Sequence, residues 1–336
     1  MTTAEASHRL QAGLIGAGWI GQQHAQAIAE RADVTLTAVC DLDAERAGAA
    51  AALSGAAVFA DWQQMLDSAE LDVLWVCTPP SLHLEPAITA LRRGLPLYLE
   101  KPVARTLDDA RVIVDAAAAT GTVCAVGYQW HAAEVLGDAQ RALAGRPVGC
   151  LVGQSVGGTQ SRDWFLNKAA GGGNLLERGS HHIDLARALA GEVVAVQAAA
   201  SSVPLAPRQA GEGDIDDAVT LLLHFAVGGT GTIVVAWTID SLPGSYWVEV
   251  TAHDTRIRLD LDPDFRLSGV SDGAQVSASS ATAPFERSIA TFLTAARAGD
   301  PAAVCCTPAD AIRTLAVAAA AEEALATGQT VAVPTV

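Results

Sequence analysis

Short runs of consecutive apolar residues alternate with Ala-rich stretches over the first third of the chain. The runs are Ala12–Ile15, Val34–Cys40, Ala57–Phe59, Val73–Cys77, Leu97–Leu99 and Val123–Val126. Between them, Ile20–Glu30, Ala44–Leu53, Trp62–Ala69, Leu82–Arg93 and Leu107–Ala119 read as helices. A strand that is apolar on both faces must be covered on both. The alternation therefore predicts a parallel, doubly wound α/β sheet wrapped by helices over residues 1–128.

The pattern changes after Gly127. One helical segment runs from about Asn174 to Ala190, followed by strand-like runs at Val193–Val203, Ile215–Val227, Thr230–Ile239, Tyr246–Ala252 and Arg256–Leu261. Strands in succession predict a second, α+β domain over residues 129–336, built on a predominantly antiparallel sheet. Val219, Leu221, Leu223 and Phe225 share one face of their strand, as do Ile233, Val235, Trp237 and Ile239 of its hairpin partner. The opposite face (Thr232, Val234, Ala236, Thr238) is only weakly polar, so a second subunit is expected to cover it, giving a homodimer or homotetramer. Two helices close the chain. Thr307-Pro308 opens the last and Gly328 stops it, and this helix is a candidate to pack back on the first domain.

Composition then removes alternatives. The chain has 336 residues, of which half are hydrophobic, enough for two packed domains and against disorder. Its 21 basic and 37 acidic residues give a net charge of −16, which disfavours nucleic acid and anionic lipid as partners. The stretch without a full charge from Ala218 to Ile239 is broken by Gly228-Gly229-Thr230-Gly231 and reads as a hairpin, not a membrane span. Met1 to Leu10 has no apolar run of the kind a signal peptide needs. Cys40, Cys77, Cys124, Cys150, Cys305 and Cys306 form no C-x-x-C pair and read as free thiols in a reducing cytoplasm.

Candidate chemistry begins at Gly16-Ala17-Gly18-Trp19-Ile20-Gly21, a G-x-G-x-x-G turn between the first strand and first helix. Asp41 closes the second strand twenty residues after Gly21. In that context the glycines let the backbone approach a pyrophosphate, and the helix N-terminus offers it N–H groups. A carboxylate at position 41 suits ribose hydroxyls and repels a 2′-phosphate, so NAD is expected over NADP.

Three further blocks narrow the reading. Thr78-Pro79-Pro80-Ser81-Leu82-His83 ends the fourth strand, Glu100-Lys101-Pro102 closes the fifth, and Gly171-Gly172-Gly173 leads through Glu177 and Gly179 to His181 and Asp184. Together with the glycine turn, these resemble the Gfo/Idh/MocA oxidoreductases, relatives of glucose–fructose oxidoreductase and inositol dehydrogenase, over nearly the whole chain. The resemblance implies a Rossmann domain, an open-faced sheet domain, and hydride transfer between a sugar or polyol hydroxyl and NAD(P). It implies Lys101 and His181 as catalytic residues, with Glu100 at the nicotinamide ribose. Glu177 stands where the family often carries an aspartate. Thr78 and Pro79 are candidates to line the cofactor, and His83 reads equally as a cofactor-lining or a structural histidine.

The chemistry of these groups agrees. Oxidising a secondary alcohol requires a proton acceptor at the oxygen and a donor to steady the developing alkoxide. Of the 21 basic residues only two are lysines, and arginine cannot release a proton near neutral pH. Lys101 falls at the carboxyl end of a parallel strand, where such sheets bind ligands. Glu177, His181 and Asp184, at i, i+4 and i+7, share one face of an ideal helix, and His182 points elsewhere. Lys168, with Trp164 and Asn167, is a candidate to touch substrate hydroxyls. No metal-ligand spacing is evident. The proton acceptor could be Lys101 or His181. Two other functions stay open: a glycoside-cleaving relative that recycles its NAD, and a non-catalytic NAD-binding sensor.

Overall fold

The structure, a computed structural model, describes residues 9–158, 164–201, 214–238 and 243–336. Its first sheet joins β1 (Leu10–Ile15), β2 (Val34–Cys40), β3 (Ala57–Phe59), β4 (Val73–Val76), β5 (Leu97–Leu99) and β6 (Cys124–Val126). All pairs are parallel and the order is β3-β2-β1-β4-β5-β6. The strand order reverses between β1 and β4, so a crevice opens at the carboxyl ends of β1, β4 and β5. Helices α1 (Trp19–Ala29), α2 (Ala44–Ala52), α3 (Trp62–Ser68), α4 (Leu84–Arg92) and α5 (Leu107–Thr120) make the crossovers. Local chemistry sets their ends. Asp43, Asp61 and Thr106 cap α2, α3 and α5 by accepting first-turn N–H groups, and left-handed Gly121 stops α5. Strand β4 is buried along its whole length, as its unbroken apolar run requires.

The remaining elements are α6 (Glu134–Leu143), β7 (Cys150–Gly158), α7 (Lys168–Gly171), α8 (Ser180–Ala190), β8 (Val193–Ala200), β9 (Ala218–Phe225), β10 (Thr230–Thr238), β11 (Ser245–Ala252), β12 (Thr255–Asp260), β13 (Arg266–Ser271), β14 (Ala274–Ser279), α9 (Pro284–Ala298), α10 (Pro308–Thr327) and β15 (Val331–Ala332). The strands form one sheet of order β14-β13-β12-β11-β7-β10-β9-β8-β15, antiparallel except for the β7–β10 pair. The β9–β10 hairpin forms as its alternation predicts, with Val219, Leu221, Leu223 and Phe225 buried. Residues 202–203 and Ile239, at the ends of two predicted strands, lie outside the described residues. Helix α10 packs along β8 and α5, and Arg105 holds Glu322 across that contact. Helix α9 also reaches the first sheet: Phe292 meets Trp75 and Tyr98 edge-on, and Ser288 hydrogen-bonds Tyr98 Oη at 2.9 Å. All six cysteines are free, with Cys150 exposed on the edge of β7. No helix among the described residues is long and apolar enough to cross a membrane.

Candidate active site

The glycine turn is shaped by what a side chain would meet. Gly16 has φ +91°, and a Cβ there would lie 2.7 Å from the Cys77 carbonyl carbon. A Cβ on Gly21 would overlap the Gly16 carbonyl oxygen, so this glycine lets α1 close onto the turn. Gly18, by contrast, faces open space and caps α1 without any side-chain hydrogen bond. A helix start without a side-chain cap beside open space suits an anion such as a pyrophosphate. Asp41 braces the turn from below. Its Oδ2 accepts the Ala17 N–H at 2.7 Å, and its Oδ1 accepts the Asp43 N–H and Arg46 Nη2.

A cavity of about 420 Å³ opens between the two sheets. Trp19, Ile20, Thr78, Glu100 and Lys101 enter it from the first domain, and Trp164, Glu177 and His181 from the second. Lys101, at the end of β5, donates to the Glu177 carbonyl and to Glu177 Oε1, both at 2.7 Å. An ammonium has three N–H donors, so one is left for the cavity. His181 stands against Trp130, ring centroids 4.8 Å apart, and its Nδ1 is buried without a hydrogen-bond partner. Burial, reinforced by the Lys101 charge, pushes the His181 pKa well below the ordinary histidine value, so the ring is neutral at pH 7. Thr78 Oγ1 and Ser155 Oγ line the same cavity and are likewise buried without partners. Three residues lining one cavity thus each carry a buried polar atom without a partner, an arrangement with hydrogen-bonding capacity to spare.

Glu100 turns inward. It is 5% exposed, and its carboxylate accepts His24 Nε2 at 2.8 Å and the Lys101 backbone N–H. Burial pushes this carboxyl up, but His24 and Lys101 outweigh it and hold the pKa below its usual value. Nothing in the sequence around His24, on α1, signals this contact. His83 does not reach the cavity. Fully buried, it ties the Thr78 carbonyl, at 2.9 Å, to the loop after Lys101. Pro79 opens the short turn that presents Pro80 to the cavity.

The second domain departs from the ideal-helix reading in two ways. Residues Leu175–Gly179 form a π turn, which adds a residue per turn and swings the helix after Glu177. Glu177 and His181 share the cavity, but Asp184 faces the interior, 1% exposed, paired with His131 at 2.7 Å and with Thr314. His182 is wholly buried against Trp130. Lys168 and Asn167 are also placed elsewhere. Asn167 caps α7, and Lys168 pairs with Asp216 on the wall of a separate cavity. Only Trp164 of that trio lines the site. Sequence reasoning passed over Trp130, Ser155, Arg178 and Tyr246, which line it too; none stands in a spacing that would single it out.

His131 is organised by its surroundings. Nδ1 faces the Cys305 carbonyl at 3.0 Å while Nε2 faces Asp184, so both nitrogens meet acceptors and the imidazolium is favoured. Burial opposes the charge, but Asp184 prevails and raises the pKa to about 9. Stability from this pair is fully present below the unfolded value near 6.5 and is lost as pH rises through about 9. His181 and His182, buried neutral with lowered pKa values, act oppositely, and their contribution is lost as pH falls below about 6.5. Chemical denaturation across pH is expected to show greatest stability near pH 6.5, declining on both sides. His131→Ala, which strands Asp184, is expected to cost about 3 kcal/mol at neutral pH and to flatten the alkaline limb. An unchanged alkaline limb would contradict this. His131, Cys306 and Asp310 bring possible ligand atoms within 4.8 Å of one another, but Arg187 already holds Asp310 at 2.9 Å.

Comparison with known proteins adds to this geometry. Residues 10–128 match the GFO/IDH/MocA oxidoreductase family, described by its NAD-binding Rossmann fold, and residues 145–258 match the GFO/IDH/MocA C-terminal domain. Levoglucosan dehydrogenase of Pseudarthrobacter phenanthrenivorans is 30% identical over 261 residues, 67% of this chain and 66% of that protein, just under two thirds of its length. The rhizopine catabolism protein MocA of Rhizobium meliloti is 29% identical over 94% of this chain and 95% of its own length. A solved levoglucosan dehydrogenase in complex with NADH and levoglucosan shares the fold at a TM-score of 0.85 and 23% identity, covering 98% of this chain and 100% of that one.

Proposed function

Because the chain belongs to the GFO/IDH/MocA oxidoreductase family, we propose that it oxidises a secondary alcohol of a sugar, inositol or related polyol, with NAD as hydride acceptor. The observation that carries this reading is the pairing in one cavity of Lys101, with one N–H to spare, and neutral His181, with an unpartnered Nδ1. A reacting hydroxyl needs both, a donor on its oxygen and an acceptor for its proton. His181 takes the proton, Lys101 steadies the oxygen, and Glu177 fixes the ammonium from the other side. The turn from Gly16 to Gly21 would hold the cofactor pyrophosphate, Asp41 the adenosine ribose, and Thr78 and Glu100 the nicotinamide end. Bound NAD supplies the carbon that receives the hydride. The reading places the enzyme in a reducing cytoplasm, in keeping with its six unbridged thiols. The test is a panel of inositols, hexoses, amino sugars and sugar acids incubated with NAD. Net NADH formation supports the reading. None across the panel would favour the glycoside-cleaving relative or the sensor.

Asp41 supports NAD over NADP, since a 2′-phosphate would meet its carboxylate and that of Asp43. Asp41→Ala is expected to lower the NAD-to-NADP ratio of kcat/KM at least about tenfold. Wild-type enzyme that already prefers NADP would overturn the assignment. Homo-oligomerisation through the second sheet is supported by its open face, where Val152 is 41% and Val194 48% exposed. A strictly monomeric mass in light scattering would contradict it.

A further inference from the structure

The residue after Glu177 lines the same cavity and has no part in moving the proton. Arg178 Nη1 donates to Tyr246 Oη at 2.6 Å and Nη2 to the Gly158 carbonyl at 3.3 Å, with the guanidinium 5.5 Å from the Tyr246 ring centroid. Both partners are neutral. Among the described residues no carboxylate pairs with it. Asp262 is near enough for Arg178 to oppose the upward push of burial on its carboxyl, but it forms no ion pair. This sets Arg178 apart from Arg105 and Arg187, each held by a carboxylate. Acidic residues outnumber basic ones in this chain, so a half-buried guanidinium without a carboxylate is not explained by a shortage of partners.

The arrangement is built into the backbone. A Cβ on Gly157 would overlap both Tyr246 Oη and Arg178 Nη1, and one on Gly244 would overlap the Tyr246 ring. Two glycines thus leave room for the Arg178–Tyr246 pair. A guanidinium has five N–H donors and two are used here, which leaves three. Beside it, Ser155 Oγ is buried without a partner on the same wall. A planar fork of spare donors, fixed by a tyrosine and without a counter-charge among the described residues, is complementary to a planar carboxylate.

We propose that Arg178 binds a carboxylate on the substrate, so that the preferred substrates are sugar acids (uronates or aldonates), not neutral sugars. The proposal rests on the dehydrogenase reading for the oxidation, but binding of the acid does not depend on it. Matched pairs test it: glucose with glucuronate, galactose with galacturonate, and glucose 6-phosphate as a third anion. Each is measured for NAD-dependent kcat/KM and for binding by tryptophan fluorescence, in the wild type, Arg178→Met and Arg178→Lys. The acid of at least one pair is expected to exceed its neutral partner by about tenfold or more. That ratio should collapse in Arg178→Met and recover in part in Arg178→Lys, with NADH binding as the check on folding. Neutral sugars oxidised as well as their acids would overturn the proposal and leave the dehydrogenase reading intact. Acids that bind through Arg178 without being oxidised would overturn the dehydrogenase reading alone. A sugar phosphate that outperforms the acids would overturn the carboxylate assignment, and neither binding nor turnover would overturn both.

Discussion

Lys101→Ala and His181→Ala are each expected to lower turnover at least about a hundredfold while NADH binding persists. The two act on one oxygen. Lys101 delivers a single remaining N–H because Glu177 takes the other two, and His181 offers a nitrogen that nothing in the protein engages. Removing either leaves the alkoxide without its donor or the hydroxyl proton without its acceptor. The wild-type pH profile should carry the signature of His181. Its lowered pKa keeps it neutral through pH 7, so kcat/KM should stay level there and fall only at pH below the ordinary histidine range. In His181→Ala that acid limb should disappear. Near-normal turnover in either variant would remove that residue from the mechanism.

Gly21→Ala and Gly18→Ala are expected to separate folding from cofactor binding. A methyl at position 21 meets the Gly16 carbonyl, a backbone atom that can yield only if α1 shifts away from the turn. That overpacking is expected to cost about 1–3 kcal/mol of stability and to disrupt the anion cradle as well. A methyl at position 18 meets nothing in the protein, so thermal stability should stay close to the wild type. It would instead occupy the open space at the uncapped start of α1, and NAD affinity should fall at least about tenfold. Calorimetry and NADH titration read the two effects separately. A Gly18→Ala variant that binds NAD normally would show that the pyrophosphate lies elsewhere.

The first sheet was legible because its strands are buried on both faces and carry unbroken apolar runs, and because Asp, Thr and Gly mark the helix ends. Glycine spacing and strand-end position likewise pointed to Thr78 and Lys101, which border the cavity, and to Gly16 and Asp41, which shape the turn beside it. The second domain was less legible for physical reasons. Strand β7 reads Cys-Leu-Val-Gly-Gln-Ser-Val-Gly-Gly, too rich in glycine to alternate clearly, and β13 and β14 are polar strands at a sheet edge. Asp272 and Gly273, both at positive φ, make the tight hairpin turn between those two strands, a dipeptide signal that was there to be read. Helical periodicity misplaced Asp184 because it assumes 3.6 residues per turn, and the π turn at Leu175–Gly179 breaks that count. Lys168 drew attention as one of two lysines, yet rarity does not fix direction, and its ammonium faces Asp216. Arg178, one of nineteen arginines, had nothing in the sequence to distinguish it; what does is that no carboxylate pairs with it among the described residues.

The central claim is direct hydride transfer from a substrate carbon to the nicotinamide. It is tested most directly with a sugar or polyol from the panel, deuterated at its carbon-bound positions, incubated with NAD and enzyme, followed by mass analysis of the nucleotide. The account predicts NADH carrying one deuterium at C4, formed together with the ketone and lost in Lys101→Ala. Unlabelled NADH, or a cleaved glycoside with no net NADH, would contradict it.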